Sequence, residues 1–297
     1  STFPSYYGEK IVMRILDQDK GVKALEELGF SPKYLEMIKK AIEKPYGMVL
    51  ISGPTGSGKT TTLYSILNAL DKEGLNVLSL EDPVEYSIEG VSQSQVHTEI
   101  GYSFANGLRT TLRQDPDIIM VGEIRDVETA SIAINASLTG HLVFSTLHTN
   151  SAVRSIPRLI DLGIKPDVLA GNVIGIVAQR LIRTLCLACK LPDTPGEAEA
   201  KLLGLAEHPG CVIYRPVGCS LCNQQGYKGR VSIVELLKFD TQLDDLVTQS
   251  ASIKVMTDYL YSRGYTPMAA DGLRRVREGV TTLEEVGRVV DLTELGR

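Results

Sequence analysis

Apolar runs recur along the first half of the chain at Met48 to Ile51, Asn76 to Leu80, Ile118 to Val121 and His141 to His148. Each is rich in Val, Ile, Leu or Phe and too short for an ordinary helix, so each is expected to be a buried strand. Between them the spacing turns helical. Leu63, Ile66, Leu67 and Leu70 share a face, Ser103 to Leu112 starts with a capping serine, and Ala130, Ile134 and Leu138 define a third stripe. Ala152 to Leu162 continues the alternation. Strands alternating with helices predict an α/β fold with a mostly parallel central sheet covered on both faces. Its ligand belongs at the carboxyl ends of the strands. Ser31-Pro32 opens an earlier helix carrying Leu35, Ile38 and Ile42, and Lys10 to Leu16 predicts one more strand. Asp167 to Leu185 is a long apolar stretch expected as a helix. From Thr241 onward, short amphipathic helices punctuated by Gly264, Gly272 and Gly279 are expected.

The first of these runs ends in Gly53-Pro54-Thr55-Gly56-Ser57-Gly58-Lys59-Thr60-Thr61. A strand that breaks into Gly-x-x-x-x-Gly-Lys-Thr and then a helix is the setting a phosphate-binding loop needs. Glycines let the backbone wrap a phosphate, and successive N–H groups point inward at the helix N-terminus. Residues Gly53 to Thr61 are therefore the predicted nucleotide-binding segment. Lys59 reaches the outer phosphates and the Thr60 hydroxyl takes one position on Mg²⁺. A nucleoside triphosphate is the implied ligand.

Two acidic groups emerge near that loop. Glu123 lies just past the strand Ile118 to Val121, where an acid would face the metal and its waters; Asp117 lies at the wrong end of the same strand. Glu81-Asp82-Pro83-Val84-Glu85 follows the second strand, which must stop at Pro83. Hydrolysis needs a carboxylate to orient and polarise water, and Glu85 is the candidate, with Glu81 in reserve. Arg109 and Arg113 stand four apart, on one face of their expected helix. His141 and His148 bracket one strand on opposite faces; His148, at the carboxyl end, is placed to meet a γ-phosphate, while spacing alone leaves the roles of both open.

Composition narrows the class. The chain has 297 residues and a net charge of −5, so bulk electrostatics do not recommend nucleic acid as a partner. No apolar run approaches the ~20 residues of a membrane span. Ser1 to Tyr7, without an initiating Met, reads as the continuation of a longer protein. Four of the five cysteines form Cys186-x-x-Cys189 and Cys219-x-x-Cys222. Two such knuckles can close one tetrahedral structural Zn²⁺ site in a reducing compartment. Cys211 stands outside the pairs and is expected to pack as a small apolar residue.

Together these blocks resemble the motor region of the type II secretion and type IV pilus assembly ATPases, a branch of the hexameric RecA-like proteins. The resemblance is carried by Gly53 to Thr60, by Glu81-Asp82-Pro83-Val84-Glu85-Tyr86, by Leu108 to Asp117 running into Val121 to Asp126, and by Gly140-His141 to His148-Thr149-Asn150. It implies ATP as substrate, with Mg²⁺ held by Thr60 and Glu123, Glu85 as general base and His148 as γ-phosphate sensor. Arg14, Arg109 and Arg113 would supply positive charge to the transferring phosphoryl group. It further implies a homo-hexamer acting through an inner-membrane platform protein, hence a cytoplasmic location peripheral to that membrane. The expected division is 1–19 as the end of an upstream domain, 20–185 as the RecA-like ATPase domain, 186–229 as the zinc-binding subdomain and 230–297 as a small helical part. A DNA-translocating motor would want a basic pore loop, for which there is no Lys/Arg cluster. A nucleotide-gated scaffold without hydrolysis would not need Glu85, Glu123 and the arginines.

Overall fold

In the computed structural model the described residues are 2–13, 22–205 and 212–292. An exposed hairpin of β1 (Thr2–Ser5) and β2 (Gly8–Ile11) comes first. The strand expected over Lys10 to Leu16 is thus confined to its first two residues among those described, and Arg14 lies outside them. After α1 (Pro32–Ile42), capped by Ser31, come β3 (Gly47–Ser52) and α2 (Lys59–Ala69). Then follow β4 (Val77–Glu81), β5 (Ser92–Gln95), α3 (Phe104–Thr111), β6 (Ile118–Val121), α4 (Val127–Leu138) and β7 (Leu142–Leu147). The chain continues through α5 (Ser155–Asp161), α6 (Pro166–Leu169) and β8 (Val173–Leu185). A small excursion, β9 (Leu191–Asp193), α7 (Glu197–Leu202) and β10 (Ile213–Arg215), precedes the return strand β11 (Tyr227–Lys238). Among the described residues, four helices follow: α8 (Thr241–Thr248), α9 (Ile253–Ser262), α10 (Met268–Arg277) and α11 (Leu283–Gly287).

Seven strands form one sheet in the order β11-β8-β3-β7-β6-β4-β5. Every pairing is parallel except β11 with β8, which is antiparallel. Both faces are buried, as a run of consecutive apolar residues requires. In β3, Val49 and Ile51 face α1 and α2 in one core, while Met48 and Leu50 face the other, with α4, α5 and the C-terminal helices. Each fully buried Leu, Ile or Phe contributes roughly 1.5–3 kcal/mol, so the sheet centre is the most firmly held part of the molecule.

The expected helix over Asp167 to Leu185 is not formed. Only Pro166–Leu169 is helical, and Val173–Leu185 is the sheet strand β8. Its apolar residues are buried on both sides, so the two-residue alternation that would reveal a strand is absent. At Gly175 a side-chain carbon would lie 3.0 Å from the Leu237 carbonyl, which reflects how closely β8 and β11 approach. Gly272 is not punctuation either: it lies inside α10, where a Cβ would stand 2.5 Å from Val286, and its absence lets α10 and α11 meet.

Candidate nucleotide site and cysteine cluster

The loop between β3 and α2 is built by backbone that side chains would obstruct. Gly53, Gly56 and Gly58 have φ of +150°, +78° and +88°. A Cβ on Gly53 would stand 2.5 Å from Ser57 Oγ and 2.6 Å from the Gln179 carbonyl. Lys59, the first residue of α2, donates through Nζ to the carbonyls of Gly53 at 2.8 Å and Pro54 at 3.1 Å. Burial draws its pKa down; the Glu123 charge opposes this and the Arg180 charge adds to it. Pro54, Thr55 and Gly56 are exposed at the tip, with Gly58, Lys59, Thr60 and Thr61 half-buried behind them. The Ser52 and Ser57 hydroxyls are buried and have no hydrogen-bond partner among the described residues. Glycine backbone, a helix N-terminus, a lysine and unpaired hydroxyls fit a polyphosphate with its cation.

Glu123 follows β6 at the carboxyl edge of the sheet, its side chain only 12% exposed. Arg125 binds one carboxylate oxygen at 2.5 Å, and His148 Nε2 lies 3.4 Å from the other. Glu123, His148 and Lys59 thus gather at the ends of three different segments beside one loop. His141, at the opposite end of β7, makes its Nδ1 contact at 2.9 Å with the Ala136 carbonyl and closes the end of α4.

The two acids after β4 part company. Glu81 is 3% exposed and its oxygens are taken by the Tyr64 hydroxyl, by Ser79 Oγ at 2.6 Å and by Gln93 Nε2 at 2.9 Å. Glu85 is half-buried; its backbone N–H donates to the Tyr64 hydroxyl at 3.2 Å, while no hydrogen bond is recorded to its carboxylate among the described residues.

The arginines are less concentrated than their spacing suggested. Arg109 lies on α3 and is engaged by Glu128 of α4 and by Asn106 Oδ1 at 3.1 Å. Arg113 does not share that helix face, because α3 ends at Thr111 and Arg113 sits in the following turn, its N–H on the Thr110 carbonyl. Two further groups beside the loop come from β8, the strand that had read as a helix. Gln179 Nε2 donates to the Ser57 carbonyl at 2.8 Å, and its Oε1 accepts from Thr62 Oγ1 at 2.9 Å. Arg180 reaches the carbonyl of Asn150 at 3.1 Å and its Oδ1 at 3.2 Å. A polar Gln-Arg pair interrupting an apolar run was the signal available for both.

Away from the loop, Cys186, Cys189, Cys219 and Cys222 bring their sulfurs within 4.8 Å of one another. Three sulfur pairs lie at 3.9, 3.8 and 3.7 Å. A sulfur tetrahedron around a metal at about 2.3 Å has edges of about 3.8 Å, whereas a disulfide would need about 2.05 Å. Backbone N–H groups of Gly218, Cys219 and Gly226 point at the sulfurs of Cys189, Cys222 and Cys222. Burial works against a thiolate at Cys222, but the Cys219 and Gly226 amides, together with the Cys219 and Cys189 thiols, outweigh it and bring the thiol down to about 6. Four converging sulfurs with amide support suit a thiophilic divalent ion. Cys211 lies outside the described residues.

The family described as type II/IV secretion system protein matches residues 1–288. A type II secretion system protein E from Pseudomonas aeruginosa is 50% identical over 289 residues, covering 97% of this chain and 57% of that protein. The type IV pilus assembly ATPase PilB of Myxococcus xanthus is 47% identical over 290 residues, 96% of this chain and 51% of its own length. The chain thus spans little more than half of these relatives. Among solved structures, the pilus retraction motor PilT with bound ADP superimposes with a TM-score of 0.68 at 28% identity, over 98% of this chain and 73% of that one.

Proposed function

The chain belongs to the type II/IV secretion system protein family, and we propose that it is the ATP-hydrolysing motor region of a machine that assembles type IV pili or secretion pseudopili. The observation that carries this reading is the convergence of Lys59, Glu123 and His148 on one glycine loop at the carboxyl edge of a parallel sheet. Residues Gly53 to Thr61 would cradle the phosphates with backbone amides, and Lys59 would exchange its two carbonyl partners for phosphate oxygens. Thr60 and Glu123 would hold Mg²⁺, which neutralises charge on the outer phosphates when bound. His148, already against Glu123, would read the γ-phosphate. Glu85, whose carboxylate is not committed as that of Glu81 is, would take a proton from the attacking water. Arg109, Arg113 and Arg14 would add positive charge as the segments bearing them close on the nucleotide; Arg109 must first leave Glu128.

In the same reading the four cysteines hold a structural Zn²⁺, and the chain works as a homo-hexamer against an inner-membrane platform protein. Membrane attachment in this reading runs through such partners; no helix among the described residues is long and apolar enough to cross a membrane. The deciding measurement is phosphate release by the full-length protein with and without Glu123→Gln. A parental rate in the variant would remove the basis for the assignment.

A further inference from the structure

We propose that Tyr64 is a positioning residue for hydrolysis: from the helix that follows the phosphate-binding loop, its hydroxyl holds the backbone at Glu85. The inference rests on the reading of Glu85 as the base. Tyr64 lies on α2, the helix that begins at Lys59, and is fully buried. Its hydroxyl has one proton to give. Glu81 accepts from Ser79 and Gln93 at one oxygen and from Tyr64 at the other, so the Tyr64 proton goes to Glu81. The hydroxyl oxygen is then free to accept the Glu85 N–H, as the 3.2 Å contact shows. Donation at one end strengthens acceptance at the other. Burial, followed by the Glu81 partner, pushes the Tyr64 pKa upward, so the hydroxyl stays protonated at neutral pH.

The loop has other anchors, but they come from elsewhere. Gln95 Oε1 accepts the Val84 N–H at 3.2 Å, and Gln93 accepts the Ile88 N–H at 2.8 Å while donating to the Tyr86 carbonyl at 3.2 Å. Both glutamines lie on β5. Tyr64 is the anchor that ties the loop to the helix bearing Lys59 and Thr60. Its ring is fixed edge-to-face against Tyr86, with centroids 4.6 Å apart at 84°. The hydroxyl therefore sets where Glu85 starts relative to the phosphate cradle. A misplacement of about 1 Å at a reacting group can cost on the order of 10²-fold in rate.

Tyr64→Phe deletes the hydroxyl and keeps the ring. In the full-length protein, the expected result is a fall in kcat of about tenfold or more with ATP affinity close to parental, and a modestly lower melting temperature because the buried Glu81 loses one of its three donors. Combined with Glu85→Gln, it should cause little further loss of residual single-turnover hydrolysis, since both changes act on one step. If Tyr64→Phe retains the parental kcat while Glu85→Gln is inactive, the positioning role is overturned and the base assignment stands. If ATP affinity falls as far as kcat, Tyr64 acts only through packing beneath the nucleotide site and the proposal is also overturned. If Glu85→Gln itself turns over at the parental rate, it is the base assignment that fails.

Discussion

Gln179 reaches from β8 to the glycine loop that opens α2 and donates to the Ser57 carbonyl at 2.8 Å. The same fully buried amide accepts from Thr62 one turn into α2, so it clamps the loop and the helix start together. Gln179→Leu would leave a buried carbonyl and a buried hydroxyl unpaired, at a cost of about 1–3 kcal/mol for each such group. The expected outcome is a lowered melting temperature and a roughly tenfold weaker nucleotide affinity. Fluorescent-nucleotide titration beside thermal unfolding checks both.

Lys59 and Glu123 should separate binding from turnover. Lys59→Ala removes the cation facing the outer phosphates and should abolish nucleotide binding. Glu123→Gln keeps shape and hydrogen bonding but loses the charge, so it should bind ATP and fail to release phosphate, with a loss of at least about 10²-fold. Equilibrium binding and phosphate release on the same preparations distinguish the two.

The cysteine cluster should carry close to one zinc per chain in protein purified without added metal, measurable by elemental analysis. Cys222→Ser should lose that metal and lower the melting temperature, because metal binding and folding of the segment are linked. Nucleotide affinity should change little. Zinc far below one equivalent in well-folded parental protein would remove the site.

Glu285 predicts an acid limb of stability. It is 1% exposed, and burial alone would raise its pKa. The hydrogen bonds from Arg288 and Arg183 outweigh burial and bring it from 4.5 to about 2. A carboxyl group lowered on folding stabilises the fold above its unfolded pKa, and that contribution disappears as pH falls from about 4.5 to about 2. With both arginines partly solvated, the contribution is on the order of 2 kcal/mol. Glu285→Gln should lose it at neutral pH and unfold with a shallower acid dependence. Denaturant midpoints at pH 7 and pH 3 provide the comparison.

Much of the candidate nucleotide site could be read directly because its parts are local. A strand, a Gly-x-x-x-x-Gly-Lys-Thr turn and a helix are contiguous in the chain, and Glu123 follows its strand by two residues. What escaped was set by packing across the sheet. Val173 to Leu185 is buried on both faces and has no strand periodicity, so Gln179 and Arg180 were placed on a helix and their approach to the loop went unseen. Tyr64 looked like one more residue on a helical stripe, since nothing local tells that Glu81 and the Glu85 amide lie opposite it. The partnership of Arg109 with Glu128 likewise depends on how α3 meets α4.

The short strand β5 has a consequence for how copies of the protein meet. It is the outer strand of the sheet on its side and reads Ser92-Gln93-Ser94-Gln95, four polar residues. Its two amide side chains turn back onto the Glu85 loop. An open sheet edge ordinarily invites a foreign strand, and short polar edges discourage it. This edge offers little length and no apolar side chain to an intruder, so extension of the sheet from copy to copy, the route to fibrous aggregates, is disfavoured where the Glu85 loop is anchored.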